Sequence, residues 1–235
     1  MSNEAEAHLQ VAYDTADKME LFDKPGVQIV KLKSGKYVTG LDRWQTGELG
    51  KELRKKSGMA VGVLPTKRAY NETFSNAEYK ALTTNYWVHN AEVIISAGFV
   101  IANPEVEIKD GKLAFTGEKI TTKIKETAID TLIGAGLFEK PKKKVWKGPI
   151  YFENDVASLW SYWAPGDASF RADADRPSGG YSRGLSAFVV GEKDEKKSAA
   201  QKSAETRQVD EAEYQELLSF KEDALKYREA RKFFS

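Results

Sequence analysis

The sequence predicts an α+β fold, with a mainly antiparallel sheet, a few packed helices, and a C-terminal amphipathic helix on a charged linker. Short runs rich in β-branched and aromatic residues alternate with Gly-containing turns, which is typical of antiparallel strands. A few segments instead repeat apolar residues at helical spacing. Beyond Gly191 the chain changes to a charged run of low complexity, so we expect the packed core to end there.

These changes divide the chain into four predicted parts. Residues 1–26 form an acidic N-terminal arm or a short helix, and residues 27–190 form the α+β core domain. Residues 191–208 form the charged linker, and residues 209–235 form the C-terminal helix. With 235 residues, of which 41% are hydrophobic, the chain is long and apolar enough to bury a sizeable core.

The first part of the core is predicted to mix strands with short helices. Apolar runs on both sides of Ser34-Gly35 predict a hairpin over residues 27–40. A single apolar stripe predicts a helix over residues 44–56 that ends at Ser57-Gly58. A short buried strand, MAVGVL, and a helix, SNAEYKAL, are predicted to follow.

The middle of the core is predicted to consist of strands. Residues 85–102 are the most hydrophobic stretch, and Gly98 in their interior predicts a bulge or a break into two strands. The segment VEIKDGKLAF alternates apolar and polar residues around Asp110-Gly111, which is the strongest short-range signal of a hairpin. We therefore expect two adjacent antiparallel units here.

The last part of the core is predicted to begin with a helix over residues 121–137, ended by glycines. Residues 146–152 are predicted to form a strand, and NDVASLWSYW forms either a short helix or a strand. Residues 167–184 are polar and without periodicity, which predicts a long loop. The strand LSAFVV follows this loop.

The composition excludes several classes of protein. The chain carries 36 basic and 35 acidic residues, so a function that depends on charge must come from local segregation rather than from a global field. Cysteine is absent, which excludes disulfides, thiolate metal sites and cysteine nucleophiles. The sequence shows neither an apolar run of about 18 to 20 residues nor the pattern of a signal peptide. We expect a soluble, cytoplasmic protein without a membrane partner.

Catalytic signatures are missing from the sequence. The two histidines, His8 and His89, do not lie in a metal or triad pattern, and no phosphate-binding loop is present. Three carboxylates in the predicted loop, Asp167, Asp173 and Asp175, could bind a hard cation, but neighbouring arginines favour ion pairing instead. We therefore expect no enzymatic activity, no cofactor and no metal.

Basic and aromatic residues are interleaved at several places. The densest example is KPKKKVWKGPIYF, residues 140–152, and shorter ones are Lys36-Tyr37, Arg43-Trp44 and Lys67 to Tyr70. Lysines neutralise phosphates and aromatic rings stack on bases, so this mixture is typical of proteins that bind single-stranded nucleic acid. The alternative is an ordinary strand with an aromatic core face and a lysine-rich solvent face.

The phase of the strand limits this hypothesis. Trp146 and Tyr151 are five positions apart, an odd number, so an unbroken strand directs them to opposite faces. A bulge at Gly148-Pro149 would reset the phase and bring them to one face.

The C-terminal segment predicts a docking helix. Its apolar residues recur at helical spacing among many charges, which gives a narrow stripe that packs on the same chain, a second copy or another protein. The expected contact residues are Tyr214, Leu217, Leu218, Leu225, Phe233 and Phe234.

Two functions remain. The first is binding of single-stranded nucleic acid without sequence specificity, with self-association through the terminal segments. Its expected contact residues are Arg43, Trp44, Lys55, Lys56, Lys142, Lys143, Lys144, Trp146 and Lys147. The second is a structural or assembly protein, virion-like or scaffold-like, that forms homo-oligomers through its N-terminal arm and C-terminal helix.

Overall fold

The α+β class predicted from the sequence is confirmed in a computed structural model, which describes residues 3–193. These residues form five helices and twelve strands. The helices are α1 (Asn3–Lys18), α2 (Arg43–Ser57), α3 (Thr66–Ser75), α4 (Ala77–Thr83) and α5 (Ala128–Gly134). The strands are β1 (Gly26–Ile29), β2 (Met59–Val63), β3 (Trp87–Ile95), β4 (Phe99–Ile101), β5 (Glu105–Lys109), β6 (Lys112–Thr116), β7 (Lys119–Thr121), β8 (Val145–Ile150), β9 (Val156–Ala164), β10 (Ser169–Asp175), β11 (Gly184–Leu185) and β12 (Ala187–Lys193).

The largest sheet has the strand order β7-β4-β3-β9-β10-β8, with β11 paired to β3. Its pairs are antiparallel except β10 with β8 and β11 with β3. A second sheet has the order β1-β12-β2, and β5 and β6 form a separate hairpin. The basic and aromatic segment of residues 140–152 includes β8, which is an edge strand of the large sheet.

The main core lies between one face of the large sheet and helices α3, α4 and α5. Alternate residues of β10, Phe170, Ala172 and Ala174, face this core because successive side chains of a strand point to opposite sides. A second core joins α1 and α2 to the small sheet. Full burial of aliphatic residues on these elements, at about 1.5 to 3 kcal/mol each, is the main source of stability.

Local signals account for most element boundaries. The capping box of Asp42 and Gln45 begins α2, and Gly58, at φ 67°, ends it. Asp110 and Gly111 both have positive φ, 51° and 75°, which is the two-residue turn that Asp-Gly predicts for β5 and β6. The break at Gly98 between β3 and β4 is also present.

Three element predictions need correction. Residues 169–175 are the strand β10 rather than part of a loop, since their apolar residues alternate with charged ones. The predicted helix over residues 121–137 is restricted to α5, which begins at the Thr127 cap. The Ser34-Gly35 turn forms, with Lys31 bridged to Tyr37, but β1 pairs with β12 instead of with residues 36–40.

The N-terminal segment is a helix that packs on the chain itself. Leu9, Ala12 and Ala16 of α1 are buried, and α1 contacts α2 along its length. No helix within residues 3–193 is long and apolar enough to cross a membrane. The charged linker beyond residue 193, the C-terminal helix and its six contact residues lie outside the described residues.

Candidate nucleic-acid interface

A groove between α3 and the loop of residues 138–143 combines aromatic and basic side chains. Its volume is about 470 Å³. Tyr70 and Phe74 lie one turn apart on α3, and Phe138 follows α5, so the three rings meet on the core side of the large sheet. The lining also includes four lysines, Lys67, Lys140, Lys142 and Lys143.

Aromatic contacts hold the floor of the groove in place. The ring of Tyr70 meets the rings of Phe74, Phe138 and Phe170 edge-on, at centroid distances of 5.0, 5.4 and 5.5 Å. Phe74 also packs edge-on against Trp163 at 5.6 Å. These pairs anchor α3 to β9 and β10, because Phe170 and Trp163 belong to the sheet.

The basic rim is fastened to this floor by a hydrogen bond. The backbone N–H of Lys143 donates to the hydroxyl of Tyr70 at 2.9 Å, which ties the loop to α3. Lys67 pairs with Glu139 at 2.5 Å, whereas Lys140, Lys142 and Lys143 form no ion pair within the described part of the chain. The hydrogen bond from Lys67, with a contribution from Lys142, lowers the pKa of Glu139. The rim is therefore a site of positive potential.

Only some of the contact residues predicted near β8 lie on the groove. Lys142 and Lys143 lie on the groove rim, but Lys144 donates to the carbonyl of Asp167 at 3.0 Å and Lys147 pairs with Asp130 at 2.7 Å. Trp146 lies beside Arg171, on the opposite face of the sheet from the groove. Trp146 therefore does not contribute a ring to the groove.

The other expected contact residues, Arg43, Trp44, Lys55 and Lys56, do not form one surface patch. Arg43 is completely buried, and Trp44 is 9% exposed with its ring stacked on Phe115 at 3.8 Å. Both side chains lie on the buried side of α2, so we remove them from the interface. Lys55 and Lys56 are exposed, but they pair with Glu52 and Asp17 respectively and lie on α2 rather than on the groove.

The bulge that the Gly148-Pro149 pair allows is present. Ala172 pairs with Lys147 and Ala174 with Ile150, so β8 carries one more residue than β10 over this interval. Gly148 allows β8 to lie close to β10 at the bulge, because a Cβ at this position would lie 2.9 Å from the carbonyl oxygen of Ala172. The phase shift directs Trp146 and Tyr151 to the same face, and both are exposed.

That face carries a row of stacked planar groups across four strands. Trp87 stacks on Tyr162 at 4.9 Å and 8°, and the guanidinium of Arg171 lies between Tyr162 and Trp146, 5.9 and 5.1 Å from their centroids. Carboxylates surround this row: Asp167, Asp173 and Asp175. The negative charges disfavour phosphate, so this face is a weaker candidate than the groove.

The three carboxylates do not form a metal site. Asp167 pairs with Arg171 at 2.9 Å, and Asp175 accepts a hydrogen bond from the hydroxyl of Tyr181 at 2.5 Å. Residues 3–193 contain no group of three or more His or acidic side chains that could hold a metal ion. Ion pairing, which the sequence favoured over cation binding, is observed for Asp167.

We expect Asp173 to make stability depend on pH. Burial, with a contribution from Asp175, raises the pKa of Asp173 from 3.8 to about 6 in the folded protein. The folded state therefore binds the proton more tightly, and this stabilisation is lost as pH rises through 6. The free energy of unfolding of Asp173→Asn should exceed that of wild type by about 3 kcal/mol above pH 7.

Urea unfolding of both proteins across the pH range checks this prediction. Only the difference between the two proteins is informative, because His89 also makes stability depend on pH. Burial lowers the pKa of His89 to about 3, so its contribution to stability rises with pH and opposes that of Asp173. A difference that stays constant between pH 4 and 8 would contradict the prediction.

Comparison of the chain with protein-family models, curated proteins and solved structures finds no match. Tyr70, Phe74 and Phe138 are not among the contact residues expected from the sequence, because α3 was not predicted. The spacing of Tyr70 and Phe74, four residues apart, was the available signal.

Proposed function

We propose that the protein binds single-stranded nucleic acid without base specificity, through the groove between α3 and the loop of residues 138–143. The observation that carries the proposal is the joining of an aromatic floor to a rim of four lysines. Lysines bind phosphates as point charges, and rings accept any base because every base has a stacking face.

Charge and shape together favour this ligand. An apolar ligand would leave Lys140, Lys142 and Lys143 without counter-charges, and a bare anion would leave the aromatic floor unused. A nucleotide strand satisfies both, with its bases against the partly exposed rings of Tyr70 and Phe74 and its phosphates along Lys140, Lys142 and Lys143. A duplex, whose bases are already stacked, should bind less tightly.

Fluorescence anisotropy with labelled oligo-dT and oligo-U at low salt tests the proposal. We expect binding of both single strands, weaker binding of a duplex, and a steep loss of affinity as salt increases. If neither the DNA nor the RNA strand binds at low salt, the proposed function is wrong.

A substitution of the floor separates stacking from charge. We expect Phe74→Leu to lower the affinity for oligo-dT by about 5- to 150-fold, since the loss of one stacked base costs roughly 1 to 3 kcal/mol. The slope of log K against log salt should not change, because the lysines remain. The same titration over a salt series measures both quantities.

Leu82 supplies a matched control for this substitution. It is a partly buried residue of the same core on α4, outside the lining of the groove. Leu82→Ala reduces apolar packing but should leave the affinity as in wild type. An equal loss of affinity in both variants would show that Phe74 acts through folding rather than through contact with a base.

A further inference from the structure

A second, smaller cleft lies between α2 and β2. Its volume is about 150 Å³, and its lining includes Gly47, Gly50 and Gly62. At Gly62 a Cβ would meet no atom within 4 Å, whereas the backbone at Gly47 and Gly50 is closely packed. At Gly47 a Cβ would lie 2.6 Å from a methyl carbon of Val106 and 3.0 Å from Nη1 of Arg43.

The inner wall of this cleft contains the completely buried Arg43. Its Nε donates to the carbonyl of Asn90 at 3.1 Å, and its Nη2 donates to the carbonyl of Ala91 at 2.8 Å. Nη1 is also buried and has no hydrogen-bond acceptor among the described residues. A buried cationic donor without an acceptor is costly, and a bound anion would supply the missing partner.

The nearest buried carboxylate does not supply this partner. Glu92 accepts hydrogen bonds from the backbone N–H of Thr66 at 3.0 Å and from its hydroxyl at 2.7 Å. Arg43 and Glu92 form no salt bridge. The guanidinium carbon instead lies 5.3 Å from the ring centroid of Phe115. The aromatic face attracts the cation but is not a carboxylate or carbonyl acceptor for its N–H groups.

Further donors lie around the opening. Lys51 and Arg54 line the cleft and pair with Glu48 at 3.0 Å and Glu105 at 3.1 Å, respectively. The cleft therefore combines two side-chain cations with a guanidinium at its inner wall.

We propose that this cleft binds one small oxyanion, a phosphate or carboxylate group, on Nη1 of Arg43. The volume of 150 Å³ is well below the roughly 300 to 1,000 Å³ of sites for larger organic ligands. It corresponds to about five water molecules at roughly 30 Å³ each, which is space for a single anionic group. The site is separate from the nucleic-acid groove and does not depend on the proposed function.

Substitution of Gly62 tests the site without altering Arg43. A Cβ at Gly62 meets no atom within 4 Å, and its φ is not positive, so a side chain is accommodated. Gly62→Asp places a carboxylate at the cleft, and Gly62→Asn places a neutral group of the same size there. The anion should bind at least about tenfold more weakly to the Asp variant than to the Asn variant, because like charges repel.

Thermal unfolding in sodium phosphate and in sodium acetate, each compared with sodium chloride at equal ionic strength, provides the measurement. We expect a saturable rise of Tm in wild type and Gly62→Asn and none in Gly62→Asp. A rise with phosphate alone identifies a phosphate site, and a rise with acetate as well identifies a general oxyanion site.

The lysines of the groove could also bind phosphate, so Lys140→Gln/Lys142→Gln/Lys143→Gln is included. This variant should keep the anion-dependent rise of Tm. The proposal is overturned if the rise disappears in this triple variant, if it is equal in the two Gly62 variants, or if wild type shows no rise beyond that in chloride.

Discussion

Replacement of Lys140, Lys142 and Lys143 by glutamine should lower the affinity for single-stranded oligonucleotides by about 30- to 100-fold at low salt. Each lysine that neutralises a phosphate of a single strand contributes about 0.7 to the slope of log K against log salt. The slope of the triple variant should therefore fall by about 2. Anisotropy titrations of wild type and variant over a salt series measure both effects.

A control with the same loss of charge distinguishes this contact from a general electrostatic effect. Lys109 and Lys112 lie on the β5–β6 hairpin and Lys119 on β7, which is the sheet edge opposite to β8. Their simultaneous replacement by glutamine should change the affinity by less than about twofold. If both triple variants lose affinity equally, the groove is not the binding surface.

Arg43→Met should lower the free energy of unfolding by about 3 to 5 kcal/mol. The substitution removes the hydrogen bonds to the carbonyls of Asn90 and Ala91 and leaves both oxygens buried. It also removes the positive charge that favours the ionised form of Glu92, whose pKa burial raises. Urea unfolding at neutral pH, followed by circular dichroism, measures the loss.

Arg54→Met provides the comparison on the same helix. Arg54 is partly exposed and pairs with the exposed Glu105 at 3.1 Å, and such surface pairs contribute about 0 to 1 kcal/mol. A loss for Arg43→Met no larger than that for Arg54→Met would show that the buried guanidinium does not stabilise the fold.

Local signals made most elements of the core predictable. The Asp110-Gly111 turn, the helix end at Gly58 and the break at Gly98 each depend on backbone conformations that glycine adopts readily. The strand β10 was not predicted, because its apolar positions are held by Ala172 and Ala174, which resemble loop residues in composition. Ala172 and Ala174 are buried because helices from other parts of the chain cover them, and the sequence of the strand does not indicate these helices.

The sequence alone also identified lysines next to aromatic residues, but it did not indicate which of them meet in space. Lys142 and Lys143 do border a groove, yet its rings come from α3 and from Phe138 rather than from Trp146. Arg43-Trp44 is an equally basic and aromatic pair, and it is buried in the interior.

The sequence by itself therefore determined the α+β class, the main turns and the local concentration of charge, because these follow from short-range backbone preferences and composition. Only the tertiary structure decided which face each side chain occupies. The loop before β8 places Lys142 and Lys143 on the groove, β8 places Trp146 on the opposite face of the large sheet, and α2 turns Arg43 inward. The physical reason is that packing between distant segments, rather than the identity of a residue, determines its exposure and its partners.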